Sequence, residues 1–156
     1  DVSTYIQSGN VFLNSPLAED DVRKTIERAL LDGAAIATTT IVRTAEEVDD
    51  AILHCPFPAE EIAAAQADNA EGESLYLCLL PRKPDEASLE KLRAAATGAD
   101  AFAVLNRTIY LLLRQSIRTS KLAIRLQKIF PEMTVRNWNT MTKLRELLQA
   151  ANGEPR

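Results

Sequence analysis

The residues in this chain best suited to chemistry are cations. Arg118, Lys121, Arg125 and Lys128 recur at helical spacing, so they line one helix face opposite Leu122, Leu126 and Ile129. Arg114 precedes them, and Arg136 and Lys143 follow. Thr119 and Ser120 stand at the expected helix start, where free amides and the helix dipole favour an anion. A phosphate held by Ser120, Lys121 and backbone amides is one reading of this pattern. A solvated helix face is the other. The segment Arg136-Asn137-Trp138-Asn139-Thr140 comes next, with the only tryptophan of the chain. Arg136 offers a planar fork for carboxylate or phosphate, and Trp138 offers a stacking face. Asn137 and Asn139 could read a base or another planar ligand. Alternatively the segment is a capping turn, with Trp138 filling the core and Asn139 or Asn137 capping the last helix.

Weaker candidates lie upstream. Ser8-Gly9-Asn10 suits a hairpin turn, and its amides together with Ser8 and Asn10 could hold an anion. Arg43 has the same place before a helix cap as Arg136, so the two could face one cleft, or each could pair with a carboxylate nearby. His54 and Cys55 are adjacent, and adjacent helical residues do not face each other, so they make a poor nucleophile–base pair. Glu46-Glu47, Asp49-Asp50 and Glu60-Glu61 read as solvated faces. With one histidine, two separated cysteines and singly scattered glycines, the chain offers no His-pair metal site, zinc pattern, disulfide framework or phosphate-binding glycine loop. No cofactor is called for.

Charge sharpens the focus on the C-terminal part. Residues 1–106 hold 8 Lys/Arg and 19 Asp/Glu, a balance of −11, and residues 107–145 hold 9 Lys/Arg and one acid, a balance of +8. Such asymmetry points to a surface for an anionic partner. Two isolated thiols suit a reducing, cytoplasmic setting. The sequence shows no apolar run of membrane-spanning length and no signal-peptide pattern at its start.

The elements that must position these residues come in a repeated order. Thr4–Gln7 and Val11–Leu13 flank a Gly-Asn turn and predict a hairpin. A helix is expected over 18–31, stopped by Gly33, then a strand over Thr38–Val42, then a helix opened by a Thr44/Glu47 capping box and closed at Pro56. Residues 59–73 read as a surface connection. Leu75–Leu80 is a continuous apolar run suited to a central strand. A helix follows from Pro84-Asp85. Then comes a second hairpin around Asn106-Arg107, a helix over 120–130, a strand over 134–136 and a last helix. The expected organisation is a first unit over 1–58, a connection over 59–73, a second unit over 74–150 and a tail over 151–156. The fold class is α+β, two ferredoxin-like split-βαβ units from an internal duplication. The first unit lacks the opening strand and helix of the second. The expectation is that the natural protein has them upstream of Asp1.

Several segments carry a resemblance. Thr4-Tyr5-Ile6-Gln7-Ser8-Gly9-Asn10-Val11, Ile41-Val42-Arg43-Thr44, Pro56-Phe57-Pro58, Ser120-Lys121-Leu122 and Arg136-Asn137-Trp138-Asn139-Thr140 occur in order and span nearly the whole chain. Together they resemble the bacterial family called domain of unknown function 1697 (DUF1697). The resemblance implies a two-lobed α+β fold related to ferredoxin-like units. It implies no established activity, substrate or cofactor. Members usually open with a strand, a Gly-containing loop and a helix, which this sequence does not contain, and commonly have Asn where Cys55 stands.

Three functions remain open at this level. The leading one is a cytoplasmic, non-enzymatic module whose basic C-terminal unit binds an anion: phosphate, a nucleotide or nucleic acid. A second is an enzyme acting on a small phosphorylated or carboxylated substrate between the lobes, with Arg43, Arg118, Lys121 and Arg136 holding the anion. A third is an interaction or self-association module in which acidic and basic portions pair.

Overall fold

The computed structural model of the chain describes residues 2–5, 9–151 and 153. Strands β1 (Val2–Tyr5) and β2 (Asn10–Leu13) form the first hairpin, with Val2 opposite Leu13. Gly9 takes a φ of 76° in the connection, a conformation that costs glycine nothing. Ile6, Gln7 and Ser8 lie outside the described residues, so the expected strand end and the Ser8 anion contact do too.

Helix α1 (Glu19–Ala34) opens with Glu19, Asp20 and Asp21, which complement its dipole. It runs past the expected stop. Gly33 lies inside it, and Ala35 takes the left-handed φ of 55° after it. The Ala35 and Ile36 amides bond back to Leu31 and Leu30, closing the helix end. One interior glycine costs a helix little, so Gly33 alone does not end it.

Thr38–Val42 is not a strand. Its residues are β-branched, but the described residues give the segment no ladder partner, and the Thr40 amide donates to the Glu27 carboxylate instead. Strand propensity without a partner leaves an extended connection. Helix α2 (Ala45–Leu53) has the expected capping box, with Thr44 and Glu47 bonding reciprocally. The expected surface connection is partly a ten-residue helix, α3 (Ala59–Asp68). Its Ala- and Glu-rich sequence favours helix, and Ala65 anchors it against Leu75 and Leu112.

The second half runs β3 (Leu75–Leu79), α4 (Glu86–Ala95), β4 (Ala101–Leu105), β5 (Thr108–Leu112), α5 (Lys121–Ile129), β6 (Thr134–Asn137) and α6 (Trp138–Ala151). The four strands form one antiparallel sheet in the order β4-β5-β3-β6. The continuous apolar run is central, as its composition predicts, between β5 and β6. The sheet is buried on both faces. Cys78, Ile109 and Leu111 meet Leu92 of α4 and Leu122 and Leu126 of α5. Leu77, Leu79 and Tyr110 on the opposite face meet Val48 and Ala51 of α2 and Met141 and Leu144 of α6. The chain is therefore an α+β protein in which α2 of the first half and α6 of the second pack together on one face of the main sheet. No helix among the described residues is long and apolar enough to cross a membrane.

Candidate functional site

Arg43 and Arg136 do not face a common cleft. Each turns inward and reaches toward the other half's hairpin. Arg43 donates to its neighbour Val42 O at 2.8 Å, to Leu80 O at 2.7 Å and to Arg107 O, in the second hairpin turn, at 2.9 Å. Burial lowers its guanidinium to about 10, with nearby Arg107 adding to the fall, so it stays charged at neutral pH. Arg136 donates to its neighbour Val135 O at 2.9 Å and to Asn10 Oδ1, beside the first hairpin turn, at 2.8 Å. Burial lowers its guanidinium as well.

The parallel extends along both helices. Thr44 accepts the Glu47 amide and Asn137 accepts the Thr140 amide, so each arginine is followed by the cap of its helix. At equal distances beyond the two arginines, Val48 and Ala51 match Met141 and Leu144, and all four are buried. Asn137 is thus the cap that the sequence left open between two asparagines. Asn139 donates to Glu73 at 2.7 Å. Trp138 packs on the cores around Tyr110 and around Ala65.

The start of α5 already holds a carboxylate. Ser120 is fully buried, accepts the Ala123 amide and donates to Asp100 Oδ2 at 2.8 Å. Asp100 also accepts the Arg114 amide at 2.9 Å and the Gln115 side chain at 2.8 Å. Of the anion site read from Ser120 and Lys121, the Ser120 hydroxyl is thereby already bound to the protein's own acid. No local pattern marks Asp100, because its partners come from the loop beyond the next hairpin. A cavity of about 230 Å³ beside it is lined by Asp100, Gln115, Thr119 and Lys121 among others. Arg43, Arg118, Arg136 and Trp138 do not line it. A second, of about 390 Å³, lies along α1 between residues such as Lys24 and Arg28.

Arg107 is the other residue that the sequence did not single out. It binds the Glu19 and Glu47 carboxylates at 2.7–2.9 Å and bridges α1, α2 and the second hairpin. Burial pushes Glu47 up, yet the bonds from Arg107 and the Thr44 amide outweigh it and hold Glu47 below its ordinary value. Lys143 pairs with Glu146, and Arg114 with Asp68.

What remains open is the outer face of α5 together with the turn before it, where Arg118 lies rather than on the helix itself. Arg118, Lys121, Arg125 and Lys128 are exposed, and among the described residues their side chains make no ion pair or hydrogen bond. Leu122 and Leu126 anchor the opposite face in the core, which fixes the stripe outward. The stripe from Lys121 to Lys128 extends about 10 Å along the helix. The thiols offer little: burial pushes Cys78 up to about 12 and raises Cys55 too. His54 points back to Asp50 on its own helix.

A model of the family described as protein of unknown function (DUF1697) matches residues 1–110. No curated protein and no solved structure matches the chain.

Proposed function

We propose that this chain, which belongs to the DUF1697 family of proteins of unknown function, is a non-enzymatic module that binds a nucleic-acid backbone along the outer face of α5. The observation that carries the reading is the contrast among its cations. Arg43, Arg107, Arg136 and Arg145 are committed to internal partners, whereas the side chains of Arg118, Lys121, Arg125 and Lys128, close together in the sequence, make no ion pair or hydrogen bond among the described residues. Four unpaired cations in an acidic protein suit a ligand that brings its own repeated negative charge. One phosphate per ~3.4 Å of strand lets a stripe of this length meet several at once. A single small anion would need convergent donors, and the candidate donors lie apart, which favours the backbone reading over an enzyme acting on a small substrate. The test is fluorescence anisotropy with a labelled single-stranded oligonucleotide at low ionic strength. Binding that falls at least tenfold in Lys121→Glu with Arg125→Glu supports the proposal. Equal binding by that variant and wild type refutes it.

The same reading extends to architecture and setting. We take the chain to be a duplication of ferredoxin-like units, supported by the matched arginines, caps and buried helix positions and by the strand–helix–strand–strand–helix–strand order of the second half. We place it in the bacterial cytoplasm, in keeping with two free thiols and the family resemblance.

A further inference from the structure

Lys121 belongs to two places at once. It is the first exposed cation on α5, and it also lines the cavity of about 230 Å³. The walls of that cavity come from the end of α4 and the residues after it, and from the loop before α5 and its first turn. Ala95, Ala96, Ala99 and Leu122 make the apolar part. Gly98 takes a φ of 132°, which glycine adopts without strain, so the turn between α4 and β4 adds no side chain there. Three polar side chains of the wall offer acceptors. Asp100 is a carboxylate. The Thr119 hydroxyl gives its proton to Ser116 O at 3.1 Å, and the Gln115 amide donates to Asp100 at 2.8 Å, so the oxygens of both remain able to accept.

We propose that this cavity takes one unpaired base of a single strand whose backbone lies along α5. The inference rests on α5 as the nucleic-acid face, and it names what that face distinguishes: single strand from duplex. A phosphate brings only acceptors and negative charge, which the Asp100 carboxylate repels, so the cavity is not its place. A base brings apolar faces and, whatever its identity, an N–H on its pairing edge. The faces suit the alanine and leucine wall, and the N–H suits the acceptors. In a duplex that edge is paired and the faces are stacked, so only an unstacked base can enter. The volume falls below the roughly 300–1,000 Å³ of sites for drug-sized ligands, which suits a single ring system. Lys121 joins the two places, since its ammonium can meet the phosphate next to the captured base.

The test compares a labelled thymidine oligonucleotide with an abasic strand of equal length, by fluorescence anisotropy on the full chain at low ionic strength. The two strands share a backbone and differ only in their bases. The expected result is that the thymidine strand binds at least about fivefold more tightly, the share of one net hydrogen bond. Ala99→Leu and Thr119→Leu each place a larger side chain at an exposed residue of the cavity wall and leave the four cations intact. Both are expected to lose the preference while keeping the salt dependence of the abasic strand. Far-ultraviolet circular dichroism checks that each variant is folded. A smaller preference in the wild-type chain, or a preference kept by any folded variant, overturns the base site and leaves the α5 stripe standing. Absence of binding to either strand removes the α5 reading itself, and this inference with it.

Discussion

At the residue scale, the arginines divide into those that build the fold and those that face solvent. Arg43 supplies donors to three backbone carbonyls, two of them from the other half of the molecule. Arg43→Ala leaves these acceptors without their charged donor, and a loss of about 3 kcal/mol is expected in urea unfolding. Arg43→Lys is expected to recover less than half of it, because an ammonium cannot reproduce the planar fork. Arg107→Ala is expected to cost about 2 kcal/mol at neutral pH. Its pH dependence follows from Glu47, whose folded value lies below the ordinary one. Stability from that pairing is complete above the unfolded carboxylate value and fades as pH falls through the folded one. The gap between wild type and Arg107→Ala should therefore narrow below roughly pH 4. A gap that widens in acid contradicts the assignment. That Arg43 and Arg136 each precede a helix cap was legible in the sequence. Their inward direction was not, because the acceptors are carbonyls and an amide from distant parts of the chain.

At the element scale, local signals located most helices and strands but misjudged those that depend on neighbours. The Thr44 capping box and the Leu75–Leu80 run speak for themselves, since caps and continuous apolar strands are local chemistry. Thr38–Val42 shows the converse, because a strand exists only when another strand accepts its hydrogen bonds. The start of α5 is the instructive case. Ser120 caps the helix as its type predicts, but Asp100 supplies the negative charge expected of a ligand. Asp100→Ala is expected to destabilise the chain by about 2 kcal/mol, as the Ser120 hydroxyl and the Arg114 amide lose their acceptor. If the α5 stripe rather than its N-terminus binds, this variant should keep oligonucleotide affinity within about threefold, as long as it remains folded. Trp138 packs into the core, so its emission should report unfolding and stay unchanged on oligonucleotide addition. Quenching that saturates with oligonucleotide would return Trp138 to the binding surface.

At the scale of the whole molecule, two halves exchange contacts: an arginine from each grips the hairpin region of the other, and α2 lies on α6 with Arg145 bonded to Asp49. The opposite charges of the two halves partly meet inside this arrangement, through Arg107 with Glu19 and Glu47 and Arg114 with Asp68. The charge split seen along the sequence is thus partly used in internal pairing, and within residues 107–145 the cations whose side chains make no ion pair or hydrogen bond among the described residues are Arg118, in the turn before α5, and Lys121, Arg125 and Lys128 on α5. That distinction could not be read from the sequence, which counts charges without pairing them. The measurement that tests the central claim most directly is the salt dependence of oligonucleotide binding. Four backbone contacts predict a slope of log affinity against log salt near −3, or roughly a fiftyfold loss between about 50 and 200 mM salt. Lys121→Ala and Arg125→Ala should each reduce that slope by about one contact's share. Affinity that is flat across the salt series, or a slope unchanged in both variants, would contradict the assignment of α5 as the binding face.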